Sequence, residues 1–342
     1  MVFSQGTLPR FTVAVAGALI SFALTLGTAH AQDKTFTMKI TTPTLNAALD
    51  LYAKALAAAV EKDSGGRIKV EVYPASQLGT IPRQIEGTQF GSIQCAIIPP
   101  EFFVGVDERF EILAAPGLIS TMQQGQHVAA DPEVLKLVLG LGAEKGLHGV
   151  AIGLAEPSEV IAKNPIRHVA DFNGKKLRIF ASEFQSAAFK RLGASPVPMS
   201  PSEVLPAIQQ GSLDGSVAGV ELLSGLHFYD AAKYITMTDH AAIFYVVELS
   251  KKWYESLPAD LQQIVEHDAA TIAVSFNPRA LEILESARKV WLGAGGELIE
   301  FPADEKAQMV KTLSTVAADV SKEKPDLAAA YKVVSEVAKK YQ

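Results

Sequence analysis

The sequence contains one cysteine, Cys95, which excludes an internal disulfide and every two-thiol metal or redox motif. It sits in the apolar stretch Ile93 to Ile98, where no neighbouring base or polar setting would activate a thiol, so a buried, inert side chain is expected. Basic residues are outnumbered, 31 Lys and Arg against 37 Asp and Glu, and the chain lacks the positive face that a nucleic-acid partner needs. No long apolar run follows the first 30 residues, so no later segment reads as a membrane span. Catalytic signatures are missing too: there is no His-Glu-x-x-His, no P-loop, no Gly-x-Ser-x-Gly and no Cys-x-x-Cys. His30, His127, His148, His168, His227, His240 and His267 show no metal-ligand spacing, and neither a metal nor a cofactor is expected. Two fragments imitate motifs. Gly140-Leu141-Gly142 with Gly146 has the wrong spacing for a dinucleotide loop and follows a helix, and Ser286-Ala287-Arg288-Lys289 lies inside a long helical pattern, where a solvated face is expected.

What is present begins at the N-terminus. Arg10 precedes the uncharged, largely apolar run Phe11 to Leu26, and Ala29-His30-Ala31 supplies the small residues of a signal-peptidase site. Residues 1–31 therefore read as an export leader cleaved after Ala31, which places the mature chain in the periplasm with 30 basic residues against 37 acidic. About 310 remaining residues are many for one core, so two lobes are expected.

From Gln32 the pattern alternates between strand and helix, the mark of an α/β protein. Phe36 to Ile40, Arg67 to Tyr73 and Ser92 to Ile98 read as strands separated by helices over Ala47 to Lys62 and Ile81 to Phe90, an order that predicts parallel pairing. A second cycle follows a helical region (Gln123 to Lys145). Its strands lie near Leu147 to Gly153, Glu159 to Ala162, Lys176 to Phe180 and Leu213 to Ala218, and its helices over Glu183 to Leu192 and Pro201 to Gln210. Ala241 to Leu249 fits a strand. Pro258 to Leu292 reads as one long helix with Ser256 as N-cap, a kink at Pro278 and a stop at Gly293.

One basic residue stands in an informative place. In Lys175 to Phe180, strand alternation puts Lys176, Arg178 and Phe180 on one face, with Leu177 and Ile179 on the other. If the aliphatic pair faces the core, Arg178 lies on the opposite face near the strand's carboxyl end, where open α/β sheets bind ligands. A guanidinium there can hold a carboxylate through two charge-assisted bonds; an ordinary surface arginine fits the spacing equally well.

Longer stretches then carry a family resemblance. They are Gly65-Gly66-Arg67-Ile68 leading to Val72-Tyr73-Pro74-Ala75-Ser76-Gln77-Leu78-Gly79; Ala170-Asp171-Phe172-Asn173-Gly174-Lys175-Lys176-Leu177-Arg178; Leu192-Gly193-Ala194-Ser195-Pro196-Val197-Pro198-Met199 with Ser202-Glu203-Val204; Gln209-Gln210-Gly211 with Asp214-Gly215; and Trp253 with Leu257-Pro258. In this order they resemble the DctP-type solute-binding proteins of tripartite ATP-independent periplasmic (TRAP) transporters, over nearly all of the mature chain. The resemblance implies a two-lobed periplasmic-binding-protein fold, α/β in class, with hinge strands and one long helix spanning the lobes. It also implies delivery of a small organic carboxylate to membrane permease subunits, with Arg178 forming the salt bridge to the substrate. The expected lobes are 32–155 plus about 244–285, and 156–243 plus about 286–342 with the C-terminal helices; the expected state is a monomer.

Departures from the family pattern bear on the ligand. A second family arginine aligns with Ser158, an asparagine with Ala218, and an acidic or polar position with Pro99, while Pro100, Phe102, Phe103, Phe180 and Phe184 lie close by. A hydroxyl-rich ligand would leave polar groups unpaired in such a pocket, at about 1–3 kcal/mol each, so an acid with an apolar or aromatic body, or a 2-oxo acid, is expected. About two of the four phenylalanines are expected to reach the ligand, the rest being core. Glu101, Gln185, Ser216, Glu221 and Tyr245 are candidate polar contacts. The alternatives are a periplasmic enzyme, opposed by the missing catalytic sets, and a sensor subunit on the same architecture.

Overall fold

The alternating segments Phe36 to Ile40 and Arg67 to Tyr73 appear, in the computed structural model, as the parallel strands β1 (Phe36–Thr41) and β2 (Ile68–Tyr73). The structure describes residues 1–3, 6 and 34–342, so the apolar run and cleavage point of the expected leader lie outside the described residues. Between β1 and β2 the alanine-rich segment forms the helix Ala48–Asp63. Its buried Leu49, Tyr52, Ala53, Leu56 and Val60 recur at helical spacing and give it one core-facing side. The helix Ile81–Phe90, ended by Gly91 in the left-handed conformation, leads to β3 (Cys95–Ile98), which pairs in parallel with the other edge of β1. Cys95 is fully buried, and burial pushes its thiol up, as an inert side chain requires.

After the helices Met122–Ala130 and Pro132–Val138, β4 (Leu147–Pro157) runs through Ser158 almost directly into β5 (Glu159–Ala162) and so into a second sheet. That sheet is completed by β6 (Lys176–Ile179), β7 (Ser195–Pro198), β8 (Gly215–Ala218) and β9 (Tyr234–Met237). The chain then returns as β10 (Ala242–Ser250) to the first sheet, and β11 (Glu297–Glu300) comes back to the second. The first sheet has five strands in the order β2-β1-β3-β10-β4, the second six in the order β11-β9-β5-β8-β6-β7. Pairing among β1, β2 and β3 is parallel, as their order predicted, but neither sheet is wholly parallel. β10 runs antiparallel to β3 and β4, and β5 antiparallel to β8 and β9, because the crossing segments must turn back on the strands that deliver them. The fold is two-lobed, and the crossing strands are tied to each other: Ser158 N donates to Ala241 O at 2.9 Å.

Three strands escape the periodicity. β7 contains Pro196 and Pro198, which an edge strand tolerates because one side needs no ladder donors, while β9 and β11 have four residues each. The long helix is two helices, Ala259–Ser275 and Asn277–Gly293, broken at Phe276, two residues before Pro278, whose ring removes an N–H from the ladder. Ser256 does not cap it; its hydroxyl donates to Trp253 O at 2.6 Å, and Pro258 occupies the cap position. The expected grouping places the last helix, Pro325–Lys340, with the second lobe. That helix lies on elements between β3 and β4: Gln124 Nε2 donates to Ala338 O at 2.8 Å, Lys340 pairs with Glu133 at 2.8 Å, and Tyr341 Oη bonds Asp131 at 3.1 Å. Its apolar face, Leu327, Ala330, Val334 and Val337, shares a core with Val128 and Val134.

Candidate functional site

Arg178 sits on β6 with Leu177 and Ile179 buried to either side in sequence, as the alternation predicts, but the arginine itself is 0% exposed. Its guanidinium is fixed from two directions. Nε donates to Met199 O at 2.7 Å and Nη1 to Val217 O at 2.9 Å, whereas Nη2 has no hydrogen-bond partner. Among the described residues no carboxylate forms an ion pair with it; Glu101 and Glu203 act only through space. Burial pushes the group down to about 9, so it remains a cation at neutral pH. A buried cation with an open donor edge is costly to the fold, by several kcal/mol before relaxation, and is met where a ligand completes the pair.

Two rings lie against that cation. The centroid of Phe180 is 4.7 Å and that of Phe102 5.7 Å from Arg178 Cζ, and the rings stack on each other at 5.2 Å. Phe180 follows β6 in the second sheet, and Phe102 belongs to the 3-10 turn Pro100–Phe103 after β3 in the first. The stack therefore joins the two halves. Of the four phenylalanines near the expected pocket, Phe102 and Phe180 border a cleft between the halves, while Phe103 and Phe184 are fully buried core. The cleft retains about 20 Å³ of free space and is otherwise walled by Pro99, Leu49, Leu222 and Ile243.

Two carboxyls share this wall, Glu156 on β4 and Glu221 on the short helix Val220–Gly225. Glu156 Oε2 accepts Glu221 N at 2.8 Å, and Glu221 Oε2 accepts Ala48 N at 2.7 Å, leaving Glu221 Oε1 without a partner. Gly219 is what admits Glu156, since a Cβ there would fall 1.9 Å from its carboxyl carbon. Burial, then mutual repulsion, pushes Glu156 well above the ordinary carboxylate range, and burial raises Glu221 to about 8. Glu101 lies nearby, fully buried, and burial raises it to about 8 as well.

Glu221 is one of three side chains that cap a helix across the cleft. The helices Ala48–Asp63 and Ile81–Phe90 receive no cap from their own Ala47 and Thr80. Glu221 takes Ala48 N, and Ser200 Oγ takes Ile81 N at 3.2 Å. In the other direction Glu111, from the segment Glu108–Ala114 after β3, accepts Phe184 N at 3.0 Å and the Ser182 hydroxyl at 2.9 Å at the start of Glu183–Arg191. Each half thus satisfies orphan N–H groups of the other.

Of the nine residues singled out from sequence, the fold brings Arg178, Pro99, Phe102, Phe180 and Glu221 together. Four lie elsewhere. Ser158 is buried at the β4–β5 junction with its hydroxyl unpartnered, Ser216 pairs with Arg178 in the sheet, Ala218 belongs to the second sheet's core, and Tyr245 packs on Tyr52 at 5.1 Å. Gln185 is spent on Phe180 N at 3.0 Å. Sequence reasoning missed Glu156; the signal was an acid at the end of the otherwise apolar Val150 to Ala155. A larger apolar groove, about 150 Å³ and bordered by Leu135, Val150 and Val274, has no ionisable side chain on its wall.

Comparison with known proteins decides the family. The model for bacterial extracellular solute-binding proteins, family 7 (DctP), matches residues 41–324. The chain belongs to that family. Members are substrate-binding proteins of transporters, not enzymes, and they are periplasmic. The chain is 30% identical over 259 residues to the C4-dicarboxylate-binding periplasmic protein DctP of Rhodobacter capsulatus, covering 75% of this chain and 77% of that one. It is 31% identical to YiiZ of Salmonella typhimurium over 208 residues, 60% of this chain and 64% of the relative. A TRAP periplasmic solute-binding protein from Desulfovibrio salexigens with bound orotic acid shares the fold at TM-score 0.83 and 21% identity, over 90% of this chain and 100% of that one. Among the described residues no helix is long and apolar enough to cross a membrane.

Proposed function

We propose that this DctP-family chain captures a small organic carboxylate with a compact apolar or aromatic body, or a 2-oxo acid, and delivers it to the permease subunits of a TRAP transporter. The observation that carries the reading is Arg178, a buried cation held by two backbone carbonyls with Nη2 unpartnered and, among the described residues, no ion-paired carboxylate. A carboxylate arriving there completes the pair through charge-assisted bonds in a low-dielectric setting. Phe102 and Phe180 come from different halves, so opening separates the rings and uncovers the guanidinium, and closing stacks them over the bound acid. The apolar wall supports a body with few hydroxyls, and the Desulfovibrio salexigens protein that shares the fold holds orotic acid.

The remaining features of the proposal follow from export and closure. The leader is removed after Ala31, the mature protein acts in the periplasm as a monomer, and neither metal nor cofactor takes part. The lobes comprise 32–155 with about 244–285, and 156–243 with about 286–324; the last helix is grouped with the first lobe on its polar contacts to Gln124 and Glu133, while its Tyr331 also packs on Phe184. Mass spectrometry of ligand released by denaturing freshly purified protein, followed by calorimetry with the acid found, tests the reading. An intact carboxylate with a largely apolar body is expected. Tight binding of sialic acid with no response to hydrophobic acids would overturn the substrate class, and turnover of the ligand would overturn the transport role.

A further inference from the structure

The apolar wall and the Arg178 anchor leave one part of the cleft unexplained. Glu221 is 2% exposed and borders the cavity, and its Oε1 has no partner although its Oε2 is fully engaged with Ala48 N. Glu156, 4% exposed, stands beside it and is admitted to the wall only because residue 219 is glycine. No lysine, arginine or histidine forms an ion pair with either carboxyl among the described residues, and no group of three His, Cys, Asp or Glu side chains that could hold a metal ion occurs there. Arg178, an unsatisfied cation, lies against the Phe102 and Phe180 rings that border this cleft, and the cleft wall itself presents an unsatisfied acceptor at Glu221, with Leu49 and Ile243 supplying apolar surface along it. Two poles of opposite sign, one behind the ring stack and one on the wall that the stack borders, call for a ligand that carries both complementary charges.

We infer that the ligand is a zwitterion: its carboxylate pairs with Arg178, and an N–H-bearing cationic group, an ammonium, secondary ammonium or amidinium, donates to Glu221 Oε1 with Glu156 alongside. This rests on the proposed anchoring of a carboxylate by Arg178. Such a group supplies the donors that an acceptor-only carboxylate needs, and an incoming cation favours ionisation of a carboxyl that burial otherwise holds protonated. A dicarboxylate brings no N–H donor to Oε1, and a purely apolar acid would leave it unpaired.

The test uses matched pairs of acids that differ only in the amino function, with affinity measured by calorimetry on the full mature protein. Suitable pairs are proline against cyclopentanecarboxylate, phenylalanine against 3-phenylpropanoate, and 4-aminobutyrate against butyrate. In at least one pair the amino-bearing member should bind ~10-fold or more tightly than its partner, and Glu221→Gln, which keeps an acceptor for Ala48 N, should shrink that ratio about 10-fold. If carboxylates bind and no pair favours its amino member, or if Glu221→Gln weakens both members equally, the inference is overturned while Arg178→Lys still weakens every acid, so the anchor survives. If no carboxylate binds and Arg178→Lys changes nothing, the anchor and the zwitterion fall together.

Discussion

Arg178 joins three properties that rarely coexist: full burial, a permanent charge and an unpartnered donor edge. Lysine at this position would keep the charge and lose the planar fork, so Arg178→Lys should lower affinity for the carboxylate by about 100-fold or more in calorimetry, with the fold intact by circular dichroism. The neighbours Phe102 and Phe103 have separate duties. Phe103 is fully buried among Phe110, Ile98 and Val246, and Phe103→Ala should cost about 3–5 kcal/mol in urea unfolding. Phe102→Ala should leave the unfolding midpoint nearly unchanged and weaken ligand binding about 5- to 10-fold, because its ring serves the cation and the stack. The sequence distinguished the arginine, since period-2 alternation marks a charge opposite Leu177 and Ile179. It could not sort Phe102 from Phe103, because a 3-10 turn carries no periodicity and adjacent side chains diverge by tertiary packing alone. Glu156 was legible only as an oddity, an acid ending an apolar strand, with no local sign that Gly219 would make room for it.

At the level of elements, most helices and inner strands followed from pattern, whereas β7, β9 and β11 did not. Four-residue strands give too few alternations to read, and the prolines of β7 argue against a strand until its edge position is known. The place of the helix Pro325–Lys340 was equally hidden, since an amphipathic face states that it packs and not against what. β8 depends on a close approach that the sequence does state, through a glycine. A Cβ at Gly215 would lie 2.1 Å from Ile161 O on the paired β5, a backbone atom that cannot move without disturbing the ladder. Gly215→Ala should therefore destabilise the protein by about 2–4 kcal/mol or prevent folding, read by urea titration; a change under ~0.5 kcal/mol would mean that β5 and β8 part without cost. Because β8 also supplies the Val217 carbonyl that fixes Arg178, a folded variant should bind its ligand more weakly too.

For the whole molecule, the store of buried acids sets the pH response. Burial raises Glu101 and Glu221 to about 8 and holds Glu156, Glu159 and Glu248 above the ordinary range, so in this region the folded state binds more protons than the unfolded chain. Stability contributed by these groups is complete below about pH 4.5 and falls as pH rises, for Glu101 and Glu221 through about 8. His240, which burial lowers to about 4, works the other way between about pH 6.5 and 4, but it is one group against five. The ligand-free protein should accordingly have a higher urea midpoint at pH 5 than at pH 8. Glu248→Gln, at a carboxyl with neither oxygen partnered, should flatten that difference; an unchanged slope would remove Glu248 from the account. The three caps that cross the cleft carry a last consequence. The amides of Ala48, Ile81 and Phe184 find their acceptors only in the opposite half, on Glu221, Ser200 and Glu111, so their exchange with deuterated solvent reports the distance between the halves rather than the stability of the helices they begin. Ligand should slow all three together while leaving mid-helix amides such as that of Leu56 unchanged, which gives the protein an isotope clock for closure that needs no label and no permease.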